Sequence, residues 1–407
     1  MDFIKTALII AIAITLYYLL LQWPNETQIY EDDSDQPIEN KLLIDSNDSL
    51  TDTLSPMEDV GVPSVPSPVV GKTYEVGNED LLLYIDAKSG QIVGSKLLSF
   101  KKDLGGESTL HLFGEVGGNL YLGNSGFYST SQGYLKPNFS NPSTKRGADG
   151  SVSFIFSGEN NSLIFERKMT FQARGYSVVV EDTITSGLGS EVSLTPYVVI
   201  ERNSINESGG GLLNPENFAY LGPVFSTQED VYEKYGFGDI NDASYRKTSQ
   251  GGWVALIQHY FLSAWIPDQK ESYKYQGQWS ENSKRYVLGY TSQNKALTPG
   301  GEVKTNNTLY VGPKYPADLS KIQENLDLTV DYGFLFWLGK PMYWVLEKGD
   351  GFFNNWGLAI IFLTVMVKLL TWPLSAKAYT SMGKMRLLLP QQLEIQARHA
   401  DDKQKAG

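Results

Sequence analysis

The chain of 407 residues contains no cysteine. That absence excludes disulfides, Cys-ligated zinc, iron–sulfur clusters, a thiol nucleophile and a Cys-borne lipid anchor. Histidine is almost as scarce. His111, His259 and His399 are the three present, and no two stand at metal-ligand spacing, so a zincin-like site is not expected. His111 and His259 read as structural histidines with satisfied hydrogen bonds. A nucleotide-binding loop is missing as well. Gly71-Lys72-Thr73 ends like one, but Pro66 stands where the first glycine belongs. A basic excess is also missing: 34 Lys+Arg face 46 Asp+Glu, a net charge of −12. Nucleic acid is therefore not expected as a direct ligand. No catalytic residue, cofactor or metal follows from any spacing, and the expectation is a protein that is not an enzyme.

The acidic charge is concentrated. Between Pro24 and Gly71 stand eleven acids and one base, Lys41, which account for −10 of the −12. With its run of Val62-Pro63-Ser64-Val65-Pro66-Ser67-Pro68, residues 24–71 read as an extended, disordered tether. Before it, residues 1–23 form an apolar stretch with sixteen uncharged residues from Thr6 to Leu21. A span needs about 20 residues to cross a hydrocarbon core of about 30 Å. Gln22-Trp23-Pro24-Asn25 lacks the small-x-small pattern of a cleavage site, so a retained anchor is expected rather than a cleaved signal.

Residues 72–330 read as a β domain. Short apolar runs recur between Gly, Asn, Ser and Pro: Leu81–Ile85, Ser151–Phe156, Leu163–Phe171, Ser177–Ile184, Val192–Ile200, Trp253–Ile266, Arg285–Tyr290 and Thr308–Val311. Leu163, Phe165, Arg167, Met169 and Phe171 alternate strictly, with one charged exception. Period two over so many segments predicts an antiparallel sandwich. Over 317–329 the period changes. Leu319, Ile322 and Leu326 share a helical face, with Asp318 or Ser320 as N-cap.

Residues 331–350 crowd aromatic side chains around Pro341. From Tyr332 to Trp356 there are nine, among them Trp337, Trp344 and Trp356, which are expected as interfacial anchors. Uncharged runs too short to cross predict a helix lying in the membrane interface. Residues 355–374 form a second span whose one charge is Lys368. Nine Leu, Ile, Phe and Val residues contribute roughly 3–5 kcal/mol to insertion, against roughly 2.5–3.5 kcal/mol for a central lysine. Insertion remains favoured. Lys368 lies about 18 Å along the helix from Trp356 and about 9 Å from Leu374. Two readings stay open for it: snorkelling to the inner interface, or facing a wet cavity in a helix bundle and offering positive charge to an acidic segment. Thr364, one turn earlier, shares its face. Beyond the span, residues 375–407 carry Lys377, Lys384, Arg386, Arg398, Lys403 and Lys405. With Lys5 before the first span, this places both ends in the cytoplasm and the β domain outside.

Several motifs resemble YidC membrane protein insertases of the Gram-negative form. Asn355-Trp356-Gly357, Thr364-Val365-Met366-Val367-Lys368, Trp372-Pro373-Leu374 and Tyr379-Thr380-Ser381-Met382-Gly383-Lys384-Met385-Arg386 are similar to that family's second span and cytoplasmic helix start. Gly252-Trp253-Val254-Ala255, Ala264-Trp265-Ile266-Pro267, Tyr310-Val311-Gly312-Pro313-Lys314 and Leu326-Asp327-Leu328-Thr329-Val330-Asp331-Tyr332-Gly333 resemble its periplasmic domain. The resemblance implies a non-enzymatic insertase and chaperone of the bacterial inner membrane, with a periplasmic β-supersandwich related to sugar-mutarotase folds. It also implies nascent membrane proteins as substrates, the Sec translocon and the ribosome as partners, and a groove containing Lys368 and Thr364. The family usually has Arg at the place of Lys368. Pro373, Lys384 and Arg386 fall on the start of its cytoplasmic hairpin, which Pro390 is expected to kink or interrupt. Ending at Gly407, the chain reads as an N-terminal part, expected to be inactive alone. A competing reading is a membrane-anchored module that binds carbohydrate or protein in a cleft of the β domain, with Trp253, Trp265 and Trp279 as sugar-stacking candidates.

Overall fold

The computed structural model describes residues 71–102, 105–116, 119–203, 220–332 and 336–398. The expected first span and nearly all of the tether lie outside these residues, as do residues 399–407.

Three antiparallel sheets form the β domain. The smallest runs β1 (Thr73–Gly77), β2 (Leu81–Asp86), β3 (Ile92–Lys101), β4 (Thr109–His111). The largest has nine strands in the spatial order β14 (Glu233–Lys234), β13 (Gly222–Ser226), β16 (Trp253–Ile257), β17 (Phe261–Pro267), β21 (Glu302–Pro313), β11 (Ser177–Ser186), β10 (Leu163–Phe171), β9 (Val152–Asn160), β8 (Ser143–Arg146). The third runs β15 (Tyr245–Gln250), β18 (Ser272–Ser280), β19 (Arg285–Ser292), β12 (Val192–Asn203), β6 (Asn119–Ser129), β5 (Gly114–Val116). Here β20 (Lys295–Leu297) pairs with β12, and β7 (Gly133–Tyr134) with β6.

Local chemistry explains much of this pairing. β9 and β10 are joined by Asn161 and Ser162, whose φ angles are 50° and 58°. Two residues in the left-handed region match the twist of the flanking strands, and Asn tolerates that region better than most side chains. The turn fixes the register Leu163↔Asn160, which carries through to Phe171↔Val152. On β10 the alternating set Leu163, Phe165, Arg167, Met169 and Phe171 is buried throughout, as the period-two reading requires. β16 and β19 are buried on both faces and show no alternation. For that reason the run Trp253–Ile266 reads as one apolar stretch. It is two strands, split by the turn Gln258–Tyr260, in which the Gln258 amide donates to the Phe261 carbonyl at 2.8 Å.

The main core lies between the sheets, with Phe113, Phe156, Phe171, Trp265 and Tyr290 almost fully buried. A second cluster gathers Trp253, Ala255, Ile257, Ala264 and Ile266 with Leu319 and Leu326, bringing α2 (Pro316–Ile322) and the 3-10 turn Leu326–Thr329 onto the nine-stranded sheet. α1 (Phe237–Asp242) is a short helix before β15. Leu319, Ile322 and Leu326 pack in one cluster but not on one helix, since α2 ends at Ile322 and Leu326 opens the 3-10 turn, and the N-cap is Tyr315 with Pro316 at the first helical position. Neither Asp318 nor Ser320 caps the helix. Proline fits there because that N–H has no intrahelical partner, and Asp318 sits in the first turn, where a carboxylate is favoured.

Two longer helices follow: α3 (Phe336–Phe353) and α4 (Trp356–Arg398). α3 passes through Pro341, its sixth residue, where the missing N–H forfeits one helical hydrogen bond, that to the Trp337 carbonyl. α4 runs 43 residues and contains both Pro373 and Pro390. Residues 355–374 and 375–398 are therefore parts of one helix, and the interruption expected at Pro390 is absent. At 1.5 Å per residue α4 is about 64 Å long, about twice a hydrocarbon core. Its stretch Trp356–Leu388 is long and apolar enough to cross a membrane.

Candidate functional site

α3 and α4 meet as a hairpin. Asn354 turns the chain with φ 48°, and the Asn355 side-chain oxygen accepts from the Leu358 amide at 3.2 Å, capping α4. Close approach occurs at Gly349, where a Cβ would stand 3.2 Å from the Ala359 Cβ and 3.4 Å from its Cα. Small residues permit such contact between apolar helices. Ala359 and Leu363 are buried there, and the Phe353 and Phe362 rings lie 5.8 Å apart.

At about 100° per residue the rest of α4 resolves into two further faces. Leu358, Phe362, Val365 and Leu369 form an exposed apolar face. Between it and the hairpin contact runs a stripe about 60° wide holding Thr364, Lys368, Thr371 and Ser375. Lys368 and Thr364 thus share a face, and both are exposed. Thr364 donates its hydroxyl to the Ile360 carbonyl at 2.8 Å, and Thr371 to that of Val367 at 2.9 Å. These back-bonds let a hydroxyl sit on an apolar helix while its oxygen can still accept a hydrogen bond. Thr371 and Ser375 were not singled out in the sequence. Their signal was there, at three and seven residues beyond Lys368.

Trp337 and Trp344, seven residues apart on α3, are about 60% exposed (64% and 59%), and Trp356 opens α4 half-exposed. Lys384 and Arg386 are exposed on α4 but lie within its continuous course, as does Pro373.

The β domain offers less chemistry. Trp253 and Trp265 are fully buried, and Trp279 is partly buried with its Nε1 donating to Glu281 at 2.9 Å. Core burial therefore removes the first two as sugar-stacking platforms. A cleft of about 140 Å³ opens beside Arg167, but that guanidinium is already engaged. It donates to both Asp182 oxygens at 2.6 and 2.9 Å, to the Gly90 carbonyl at 2.6 Å and to the Ser125 carbonyl at 2.9 Å. His111 is exposed. Its pKa is held below the ordinary histidine value by partial desolvation and then by Lys96 and Lys102. His259 leaves Nδ1 without a hydrogen bond among the described residues, so it is not the satisfied histidine expected. Among the described residues no group of three or more His, Asp or Glu is placed to hold a metal.

Residues 73–345 match the YidC periplasmic domain, and residues 349–407 match the 60Kd inner membrane protein family. The membrane protein insertase YidC of Cellvibrio japonicus is 33% identical over 422 residues, covering 100% of this chain and 75% of the relative. That of Pseudoalteromonas atlantica is 30% identical, covering 98% of this chain and 74% of the relative. The Haemophilus influenzae protein is 31% identical, over 82% of this chain and 62% of its own length. Among solved structures, a galactose mutarotase related enzyme from Lactobacillus acidophilus is 10% identical with a TM-score of 0.36, covering 59% of this chain and 97% of its own. Likeness this loose carries no argument about activity. The sequence relationship does not depend on it, because it runs through the β domain, the α3–α4 hairpin and the Lys368 stripe alike: the chain belongs to the YidC membrane protein insertase family.

Proposed function

We propose that the chain acts in the insertion and early folding of nascent inner-membrane proteins, as a guiding surface and not as an enzyme. The observation that carries this reading is the stripe Thr364–Lys368–Thr371–Ser375 on the apolar N-terminal half of α4. A charge and three hydroxyls on one face lower the barrier for a polar tail that has to cross, because the tail exchanges water for fixed polar groups instead of entering hydrocarbon bare. Lys368 adds attraction for acidic tails. Lysine keeps the charge that arginine would supply, without the planar fork.

In this arrangement α4 crosses the bilayer and α3 lies in the periplasmic interface on Trp337 and Trp344, with Trp356 at the same level. The β domain is periplasmic, and residues 1–23 form another span of a multi-pass inner-membrane protein. Lys384 and Arg386 lie on the cytoplasmic stretch of α4, the side from which substrates arrive. Family membership supports extending the reading to action alone or beside the Sec translocon, with substrates delivered from the ribosome.

The test is a chimaera in which residues 349–407 replace the matching stretch of the Cellvibrio japonicus relative, expressed in insertase-depleted cells. Insertion of a single-span substrate with an acidic N-terminal tail is scored. Lys368→Ala is expected to reduce insertion several-fold, and Lys368→Glu to reduce it further. Indifference to both at equal expression removes Lys368 from the mechanism and leaves snorkelling as its role.

A further inference from the structure

A cavity of about 550 Å³ opens at the end of the β domain nearest α3. It is built where strands end. Phe100 of β3, Tyr260 and Phe261 at the start of β17, Lys314 and Tyr315 just past β21, and Asp331 after the 3-10 turn all line it. The Lys314 amide donates to the Tyr260 carbonyl at 2.9 Å, holding the two sides of the rim together. Phe100 and Phe261 meet edge to face at 5.1 Å and form an apolar wall. Tyr260 and Tyr315 stand at the mouth, 69% and 47% exposed.

The cavity lining holds one ammonium, Lys314, and one carboxylate, Asp331, with Lys234 just outside the lining. Asp331 is ion-paired with Lys234, whose ammonium also lies over the Tyr220 and Tyr232 rings at 5.1 and 5.8 Å. Lys314 is a second ammonium in the field of that one carboxylate. Burial lowers its pKa to about 8, so it remains largely charged at neutral pH while poorly hydrated. Two ammonium groups around one carboxylate leave room for an anion.

Location narrows the choice of anion. Asp331 is five residues before the start of α3, a reach of at most about 18 Å. The gap is closed further by the Tyr332 and Tyr343 rings, 6.3 Å apart. The cavity therefore sits beside the helix that carries Trp337 and Trp344. Tyrosines at a mouth and a cation behind them match the headgroup layer of a bilayer. A free phosphate is too small for the volume and has no use for an aromatic wall. An extended peptide would need an unpaired strand edge, and β17 pairs with β21 along its whole length.

We propose that this cavity holds the phosphodiester headgroup of a phospholipid from the leaflet in which α3 lies, with Lys314 facing the phosphate and Tyr260 and Tyr315 at the level of the glycerol. Such a lipid would fix the height of the β domain over the membrane. The proposal rests on α3 lying in the interface, and its readout does not depend on insertion activity.

The experiment uses the whole chain in a non-ionic, phosphate-free detergent. Lys314 acylation by a water-soluble succinimidyl ester is followed by peptide mass spectrometry, with exposed Lys145 as internal reference. Dioleoylphosphatidylglycerol, the matching diacylglycerol or inorganic phosphate is added. The phospholipid is expected to slow Lys314 acylation about threefold at two-thirds occupancy. The other two additions are expected to leave it unchanged, and a Tyr260→Ala/Tyr315→Ala variant to lose most of the protection. No slowing by the phospholipid overturns the proposal. So does equal slowing by diacylglycerol, which needs no charge, or by phosphate, which needs no lipid. Full protection in the double variant also overturns it.

Discussion

Arg167 and Lys368 are both cations in apolar surroundings, and the molecule treats them in opposite ways. Arg167 lies at the centre of β10, directly opposite Asp182 of β11, and both are almost fully buried. Every face of its guanidinium finds an oxygen, from Asp182, Gly90 or Ser125. Lys368 sits on an exposed helix face, and none of the described residues pairs with it. A charge buried in the β domain has to be neutralised mainly inside the protein, since little solvent reaches it. A charge on a membrane helix left without a partner is available to something that arrives later. The first arrangement stabilises a fold, and the second suits a surface for transient guests.

Substitutions that remove one charge from each setting break the comparison most sharply. Arg167→Met leaves Asp182 buried and unpaired, and is expected to destabilise the β domain by about 3–5 kcal/mol. Chemical denaturation followed by tryptophan fluorescence measures this. The double change Arg167→Met/Asp182→Leu is expected to recover most of the loss, because an apolar pair leaves no charge stranded. Lys368→Ala is expected to leave the denaturation midpoint unchanged while insertion falls in the chimaera. A stability loss in place of an insertion loss would make Lys368 structural.

Gly349→Val asks whether the hairpin contact is as tight as the glycine implies. A Cβ at 3.2 Å from the Ala359 Cβ, carrying two further methyl groups, is expected to cost about 1–3 kcal/mol and to weaken cross-linking between cysteines placed on α3 and α4. The β domain should be indifferent to that change.

The smallest expected effect near neutrality concerns pH. Burial raises the phenol pKa of Tyr121 to about 12 and pushes Tyr197, Tyr275 and Tyr290 up as well. Above pH about 10 the unfolded chain loses phenolic protons that the folded chain keeps. The unfolded state then binds fewer protons, so stability falls as pH rises. Lys314 works the other way. Its lowered folded pKa means stability rises between pH about 8 and 10.5 as its charge is lost. Equilibrium denaturation across this range is expected to show a rise from pH about 8 to about 10 and a decline beyond it. Phenolate absorbance should rise together with unfolding. Ionisation of these tyrosines in the intact fold would contradict their burial.

The β domain was legible where one face of a strand is buried and the other is wet. β10 coincides with the alternating run Leu163–Phe171, and Arg167 stands out in it as the one charged member. Legibility failed where both faces are buried, as in the pair β16 and β17, because alternation then vanishes and the turn between them holds only three residues. On α4 the charge at Lys368 drew the eye and Thr371 and Ser375 did not, although all stand on one stripe. Proline misled in the same helix, since local rules place an interruption at Pro390 and α4 continues through it.

By itself the sequence determined which segments avoid water and on what period: two apolar stretches, a long period-two region and a lone lysine in a span. Those properties are local, set by side-chain transfer energies and backbone geometry. Only the tertiary structure decided which distant groups meet. Arg167 reaches Gly90 and Ser125, Gly349 admits Ala359, and Lys314 and Asp331 come to share a cavity beside α3. Such meetings depend on how sheets and helices stack, and no spacing along the chain encodes a contact between residues so far apart.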